Sequence, residues 1–457
     1  MTLDKDNFMK SYNNLWDKFL SDDNIILAER NAGKDKRKNN KRHCQLREFR
    51  NNPENYIDYI REYVINYNPD KIITKTIKDG HSGKEREITI PSPEEVVMHN
   101  MIVNILKPIL MKGMYEHSYA CIDGKGIHKA VKAIKKIIDK EDKEPFTYEQ
   151  LEKIASKKTP EKAERMLKYY KPKKKKPSKV KYCFKGDIKK FFNSVDQDDL
   201  IERLNKIIRD KKFMKLLEKV IRTVPKGLAL GYTISHWLAN WLLTPMDHYI
   251  KEVLKAPYYF RFVDDIVIFD SNKKRLHYYK DEIEKYLKEN YNLTFKDNWQ
   301  IFLISDFTNK NKKDIEYRKE NNLPVKTNEG RFLDFLGYKF HRRNCLDNES
   351  CRVTIRKSNA LRIRRKAKHI YKKKANIYDA RQMVTYIGIC KYSNCFNWFN
   401  NNVLKYVSIE RLEKKISDYD KEYNQIETTT NIETINILNN INQHKIGKNH
   451  LFMLFEI

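Results

Sequence analysis

Apolar positions recur at helical spacing through the first 65 residues, with Phe8, Tyr12, Trp16 and Phe19/Leu20 along one face, so the chain opens on helix. Residues 71–91, KIITKTIKDGHSGKEREITIP, read instead as a β-hairpin turning around Asp79-Gly80 and Gly83. Two amphipathic helices follow, over 96–114 and 126–138. Between 139 and 179 the pattern dissolves into charge, ending in KPKKKKPSK, and this stretch reads as a mobile insertion. From 180 to about 340 strands and helices alternate. Farther on, Ala360, Ile363, Ala367 and Ile370 form a helical stripe whose opposite face is nearly all Lys and Arg. The tail after about 426, rich in Asn, Thr and Ile, carries no readable motif. At 457 residues the chain exceeds one core and divides into two to four lobes.

One segment interrupts its own pattern. In YYFRFVDDIVIF, residues 258–269, Asp264 and Asp265 separate two short runs of Tyr, Phe, Val and Ile. Side chains alternate faces along a strand, so two successive aspartates inside one strand would point opposite ways and leave one buried without a partner. A tight turn between the runs presents both acids at a hairpin tip. Such a pair is either an ordinary acidic turn or a seat for a hard cation such as Mg²⁺, held by one or two carboxylates plus substrate phosphates. A third acid favours the second. In KVKYCFKGDIKKFFNSVD, residues 179–196, Val180, Tyr182 and Phe184 alternate as a strand that ends at Asp187. Strands bringing Asp187 and Asp264 to one point would make a two-metal site, its ions roughly 3.5 to 4 Å apart across an in-line displacement at phosphorus. The implied chemistry is nucleotidyl transfer.

Charge points the same way. Lys and Arg number 92 against 61 Asp and Glu, a net charge of +31, and the cations come in blocks: eight in Lys34–Arg50, seven in Lys171–Lys181 and ten in Arg356–Lys374. That is the footprint of a polyanion binder, whose affinity falls steeply with salt. No apolar run reaches membrane-spanning length. Seven cysteines, an odd number, with no secretory leader indicate a reduced cytoplasm, and Cys345/Cys351 and Cys390/Cys395 lack zinc-site spacing.

The strand ending in Asp187, GLALGYTISHWLAN at 227–240, the FVDD hairpin, FKDN at 295–298 and FLDFLGYKF at 332–340 follow in the order of the palm motifs of bacterial reverse transcriptases. The chain resembles that family from about residue 70 to about residue 400. SYACIDGKGIHKA at 118–130 and YIGICKYSNCFNWF at 386–399 resemble its diversity-generating-retroelement and defence-associated "unknown group" members. The resemblance implies roles. Arg86, with Lys84 beside it, would grip the incoming triphosphate, a task that suits a guanidinium fork. Phe192, five residues after Asp187, would lie under the incoming sugar and exclude a 2′-hydroxyl. Gly227 and Gly231 would let backbone approach the nucleotide pocket. Lys296 would neutralise or protonate the leaving pyrophosphate. The chain departs from the family at Ala229, where Pro is common, at Leu230, where many members have Gln, and at His236, where related enzymes often carry Gln. Those departures bear on fidelity and template handling.

The expected fold is therefore α+β, a right-hand polymerase: a helical N-terminal segment (1–70), fingers (71–180) with the basic insertion, an antiparallel-sheet palm (181–345), a basic helical thumb (346–425) and a tail (426–457). Asp187 and Asp264 would ligate both Mg²⁺ ions, with Asp265 auxiliary and Mn²⁺ able to substitute. The expected activity is RNA-templated DNA synthesis from dNTPs on a noncoding RNA, through an RNA–DNA duplex, in antiphage defence, with an oligomer left open. Diversity generation, untemplated or protein-primed synthesis, and a catalytically inactive RNA-binding scaffold are the alternatives.

Overall fold

The structure is a computed structural model that describes residues 11–33, 53–69, 72–78, 85–122, 124–142, 148–168, 178–305, 320–321, 330–342, 351–373 and 375–421. The Lys34–Arg50 run, most of the Lys171–Lys181 run, the Asp79–Gly83 turn, Lys84, Cys345 and the tail after 426 lie outside the described residues.

The centre is an antiparallel sheet of β3 (Tyr182–Asp187), β4 (Tyr258–Phe262), β5 (Asp265–Asp270) and β6 (Gln300–Leu303), in the order β4-β5-β3-β6. Both faces are buried. Phe184, Tyr259, Ile266 and Ile268 face one core, and Cys183, Phe260, Val267 and Phe269 face another, so the two-residue period of each strand divides its side chains between them. The first core is helical. One of its long members is α1 (Pro93–Leu110), which starts at a capping box between Ser92 and Glu95 with Pro93 in its first turn, and buries Val97, Met98, Met101, Ile102 and Leu106. Gln197–Ile207 and Lys211–Ile221 pack there too, capped by Asp196 and Asp210. The Asp210 carboxylate also accepts from the Leu15 and Trp16 amides, both at 2.8 Å, and so ties the N-terminal helices to this core.

On the other face lies a second sheet, β7 (Leu333–Phe335), β8 (Tyr338–Arg342) and β9 (Cys351–Ile355), covered by the helix Ile127–Asp142. Leu336 and Gly337 both have positive φ in the loop joining β7 to β8, the signature of a type I′ hairpin. The Gly337 carbonyl accepts from the Arg356 amide and the Asn359 side chain, which docks the start of the basic helix Lys357–Lys372 on this hairpin. That helix turns Ile363 and Ala367 into a third core, as its stripe requires, with Ala360 and Ile370 half-buried and Arg364, Arg365 and Lys368 exposed.

Two expectations change. The 139–179 stretch is not uniformly without structure: Ile127–Asp142 runs past residue 138, and Tyr148–Ala155 and Pro160–Lys168 are helices that pack on each other. Leu151 and Ala155, one helical turn apart, are buried, so a few apolar residues at the right spacing suffice where composition alone argued against packing. The region after 346 is also not wholly helical, because Cys351–Ile355 completes the second sheet. No helix among the described residues is long and apolar enough to cross a membrane.

Candidate active site

The FVDD segment turns, but one residue earlier than its pattern suggested: Asp264 lies in the turn while Asp265 already opens the second strand. β4 and β5 pair so that Phe262 faces Asp265, leaving only Val263 and Asp264 in the loop. Val263 has φ +57°, as the first residue of a type II′ turn does. A β-branched side chain in that region costs about 1–3 kcal/mol, so the surroundings must hold it there. Asp187 closes β3 directly opposite Asp265. Directly opposed cross-strand residues project from the same face with Cβ atoms roughly 4.5–5.5 Å apart. The Ile188 amide donates to the Asp264 carbonyl at 3.2 Å, and the Lys296 amide donates to the Asp187 carbonyl at 2.8 Å. Three acids from distant parts of the polypeptide thus meet at one edge of the sheet.

Burial and proximity make their negative charges work against one another. Burial, then the charge of Asp187, pushes the Asp264 carboxyl up to about 7 and the Asp265 carboxyl up to about 6. Lys296 offsets part of this for both, and its ammonium rests against the Asp187 carboxylate. A half-buried cluster of this kind is relieved by a hard divalent ion, and its all-oxygen donor set fits one. Among the described residues no three His, Cys, Asp or Glu side chains converge tightly enough to hold an ion unaided. Carboxylate sites that work on nucleotides complete the shell with substrate phosphate oxygens and water.

The 227–232 loop packs against the Phe192–Asn193 backbone and the end of the 85–89 strand. Gly227, at φ +73°, crosses the backbone of Phe192 and Asn193 so closely that a Cβ would lie 2.3 Å from the Phe192 carbonyl oxygen. The Leu228 amide donates to that same oxygen at 2.7 Å. Gly231, at φ +109°, approaches the end of β2 (Glu85–Thr89), where the Thr89 amide donates to the Leu230 carbonyl at 2.7 Å. Two glycines therefore join Phe192 to the hairpin of β1 (Thr74–Lys78) and β2. His236 meets the Phe192 ring edge-on at 5.3 Å between centroids, and burial lowers its affinity for a proton.

The profile of the reverse transcriptase (RNA-dependent DNA polymerase) family matches residues 77–340, more than half of the chain. The chain belongs to that family. This reverse transcriptase is accordingly an RNA-directed DNA polymerase, a nucleotidyltransferase with RNA template, dNTP substrates and DNA product. The family implies a right-hand polymerase fold, which the mixed helices and antiparallel sheets match, and its members use divalent metal ions. No curated protein matches the chain.

Within the matched span the reverse transcriptase brings Asp187, Asp264, Asp265 and Lys296 together, and Phe192 and Gly227 meet each other through their backbones. Arg86 stands exposed on β2, opposite Ile77 and three residues before the Thr89 contact with the glycine loop. Sequence reading passed over Arg261, Asp247, Asn240 and Tyr259. All four are fully buried, and the Arg261 guanidinium joins Asp247, Asn240 and the Val263 carbonyl. The available signal was an arginine in the middle of an apolar strand, a position at which a charge survives only when paired.

Proposed function

We propose that Asp187, Asp264 and Asp265 form the catalytic metal site of this reverse transcriptase, that Mg²⁺ is the working ion, and that the enzyme copies a dedicated noncoding RNA in antiphage defence. The observation that carries the site is the β3–β5 register, which sets Asp187 against Asp265 with Asp264 next to it in the turn. Bound Mg²⁺ would supply Lewis-acid activation of the primer 3′-oxygen and neutralise charge at the leaving pyrophosphate, with Mn²⁺ able to replace it.

The remaining work falls to the chain. Asp187 and Asp264 take the main share of the cation contacts and Asp265 an auxiliary one. Phe192, held by the Gly227 crossing, floors the sugar pocket and rejects a 2′-hydroxyl. Arg86, with Lys84 beside it, clamps the triphosphate from β2. Lys296 places its side-chain nitrogen against Asp187, where negative charge builds as pyrophosphate departs. Exposed cations of Lys357–Lys372 follow the RNA–DNA duplex backbone without reading sequence. On this reading residues 71–180 are fingers, 181–345 palm and 346–425 thumb.

The defence assignment rests on resemblance of the 118–130 and 386–399 segments to the diversity-generating-retroelement and defence-associated "unknown group" enzymes taken together. These segments pack together, the His128 and Tyr392 rings lying 4.3 Å apart. Diversity generation is the second reading, favoured by apolar Leu230 in the glycine loop. An inactive scaffold is disfavoured, because clustered carboxylates beside nucleic acid repel it and serve a scaffold no purpose. Primer extension on an RNA template with dNTPs and Mg²⁺, comparing the parent with Asp264→Asn/Asp265→Asn, is the test. Loss of all incorporation is expected; incorporation that survives both substitutions would remove the site assignment. Sequencing copurifying nucleic acid separates the roles: one defined transcript supports the stand-alone reading, a repeat-and-variable pair the diversity-generating one.

A further inference from the structure

We propose that Arg261 is a positioning residue for the metal site: from the opposite face of the sheet it holds the strained turn that carries Asp264. The inference rests on the reading that Asp264 binds metal, and concerns how that carboxylate is aimed.

Every N–H of the Arg261 guanidinium is engaged. Nε and Nη2 bind the two oxygens of Asp247 at 2.7 and 2.6 Å; Nη2 also donates to the Asn240 carbonyl at 3.1 Å; Nη1 donates to Asn240 Oδ1 at 3.2 Å and to the Val263 carbonyl at 3.1 Å. Four of these contacts anchor the fork to two helices, Thr233–Leu242 and Thr244–His248. Asn240 is itself held by the Ala120 carbonyl at 2.7 Å, and Asp247 accepts from Tyr259 at 2.6 Å. The fifth reaches the turn.

That fifth contact is placed where it matters. The Val263 carbonyl belongs to the peptide unit that leads into Asp264, so fixing this oxygen fixes the plane from which the Asp264 Cα departs. The next carbonyl, that of Asp264, is held from the other side by the Ile188 amide. With both flanking peptides pinned, the Cα–Cβ bond of Asp264 has one direction left, and its carboxylate only the few side-chain rotamers that start from it. Val263 at φ +57° would relax without such restraint, since a valine in this region persists only when its surroundings impose it. Partners that hydrogen-bond a ligating side chain itself typically govern metal affinity by about 10–100-fold, and a restraint on the peptide from which that side chain departs acts on the same orientation.

The experiment measures Mn²⁺ binding to the metal-free full chain by electron paramagnetic resonance, beside steady-state primer extension. Arg261→Lys keeps the charge but cannot span Asp247 and the Val263 carbonyl together. It is expected to weaken Mn²⁺ binding about tenfold or more, and to lower kcat with the dNTP KM unchanged. Tyr259→Phe removes a hydrogen bond from the same buried carboxylate without touching the turn, and its Mn²⁺ affinity should equal the parent's. The deciding variant is Arg261→Lys/Val263→Gly. Glycine takes positive φ without strain, so the turn no longer needs restraint, and most of the lost affinity should return. If glycine rescues nothing, if the double variant does not fold, or if Tyr259→Phe loses affinity as Arg261→Lys does, Arg261 is a core group and the inference is wrong. Asp264→Asn separates the premise: Mn²⁺ binding that survives it removes the site reading itself, whatever Arg261 does.

Discussion

Replacing Gly227 by alanine should damage both stability and sugar selection. At φ +73° an L-residue costs about 1–2 kcal/mol over glycine. The new Cβ would sit 2.3 Å from the Phe192 carbonyl oxygen and 2.7 and 2.8 Å from Asn193 Cα and C. All three are backbone atoms, so no rotamer change relieves the contact. The loop must back away, breaking the 2.7 Å bond from the Leu228 amide to the Phe192 carbonyl, worth about 0.5–1.5 kcal/mol. The total is about 1.5–3.5 kcal/mol before any residual clash. Gly113 supplies an internal control: its φ is +76°, but a Cβ there meets nothing within 4 Å, so Gly113→Ala should show the conformational cost alone, about 1–2 kcal/mol. Urea unfolding of the two variants measures the difference. Incorporation of ribo- against deoxyribonucleotides supplies a second readout, because the broken bond is one that holds the Phe192 backbone in place. Equal destabilisation by the two substitutions, or a destabilised Gly227→Ala enzyme with unchanged sugar discrimination, would refute the reasoning.

Phe192→Val should raise ribonucleotide use relative to deoxyribonucleotide use about tenfold or more in single-nucleotide extension; a ratio equal to the parent's would mean the ring is only a core residue. His99 is buried beside Tyr232, and burial alone lowers its proton affinity to about 3. Below the unfolded value of about 6.5 the unfolded chain takes up a proton that the native protein refuses, so His99 should remove about 1.4 kcal/mol of stability per pH unit as pH falls from 6.5 toward 3, and contribute no slope above 6.5. His99→Leu should lack that component when urea midpoints at pH 7, 6 and 5 are compared; an unaltered acid slope would contradict the assignment. Arg364→Ala/Arg365→Ala should weaken duplex binding and flatten the plot of log K against log salt by about 0.9 for each arginine that meets a phosphate. An unchanged slope would take this helix away from the nucleic acid.

Much of the site was legible because its signals are local. Alternation named β3 and the two arms of the FVDD hairpin, and the impossibility of burying adjacent aspartates in one strand required a turn between them. The stripe of Ile363 and Ala367 foretold which face of the basic helix turns inward. Composition misjudged 139–179, where Leu151 and Ala155 are enough to bury one side of a helix, and the five-residue Cys351–Ile355 strand, whose Cys351 and Val353 alternate with polar neighbours, was absorbed into the basic helical region that follows it.

By itself, then, the amino-acid order determined where strands end, where the acids and cations lie, and to which family the palm motifs point. Tertiary structure alone decided that Asp187 faces Asp265, that Lys296 rests on Asp187, and that Asn240, Asp247 and Arg261 converge beneath Val263. The reason is physical. Period and turn chemistry act over a few residues and can be read in place, whereas strand register and the pairing of buried charges depend on which distant surfaces exclude water together, a choice made by the whole core at once.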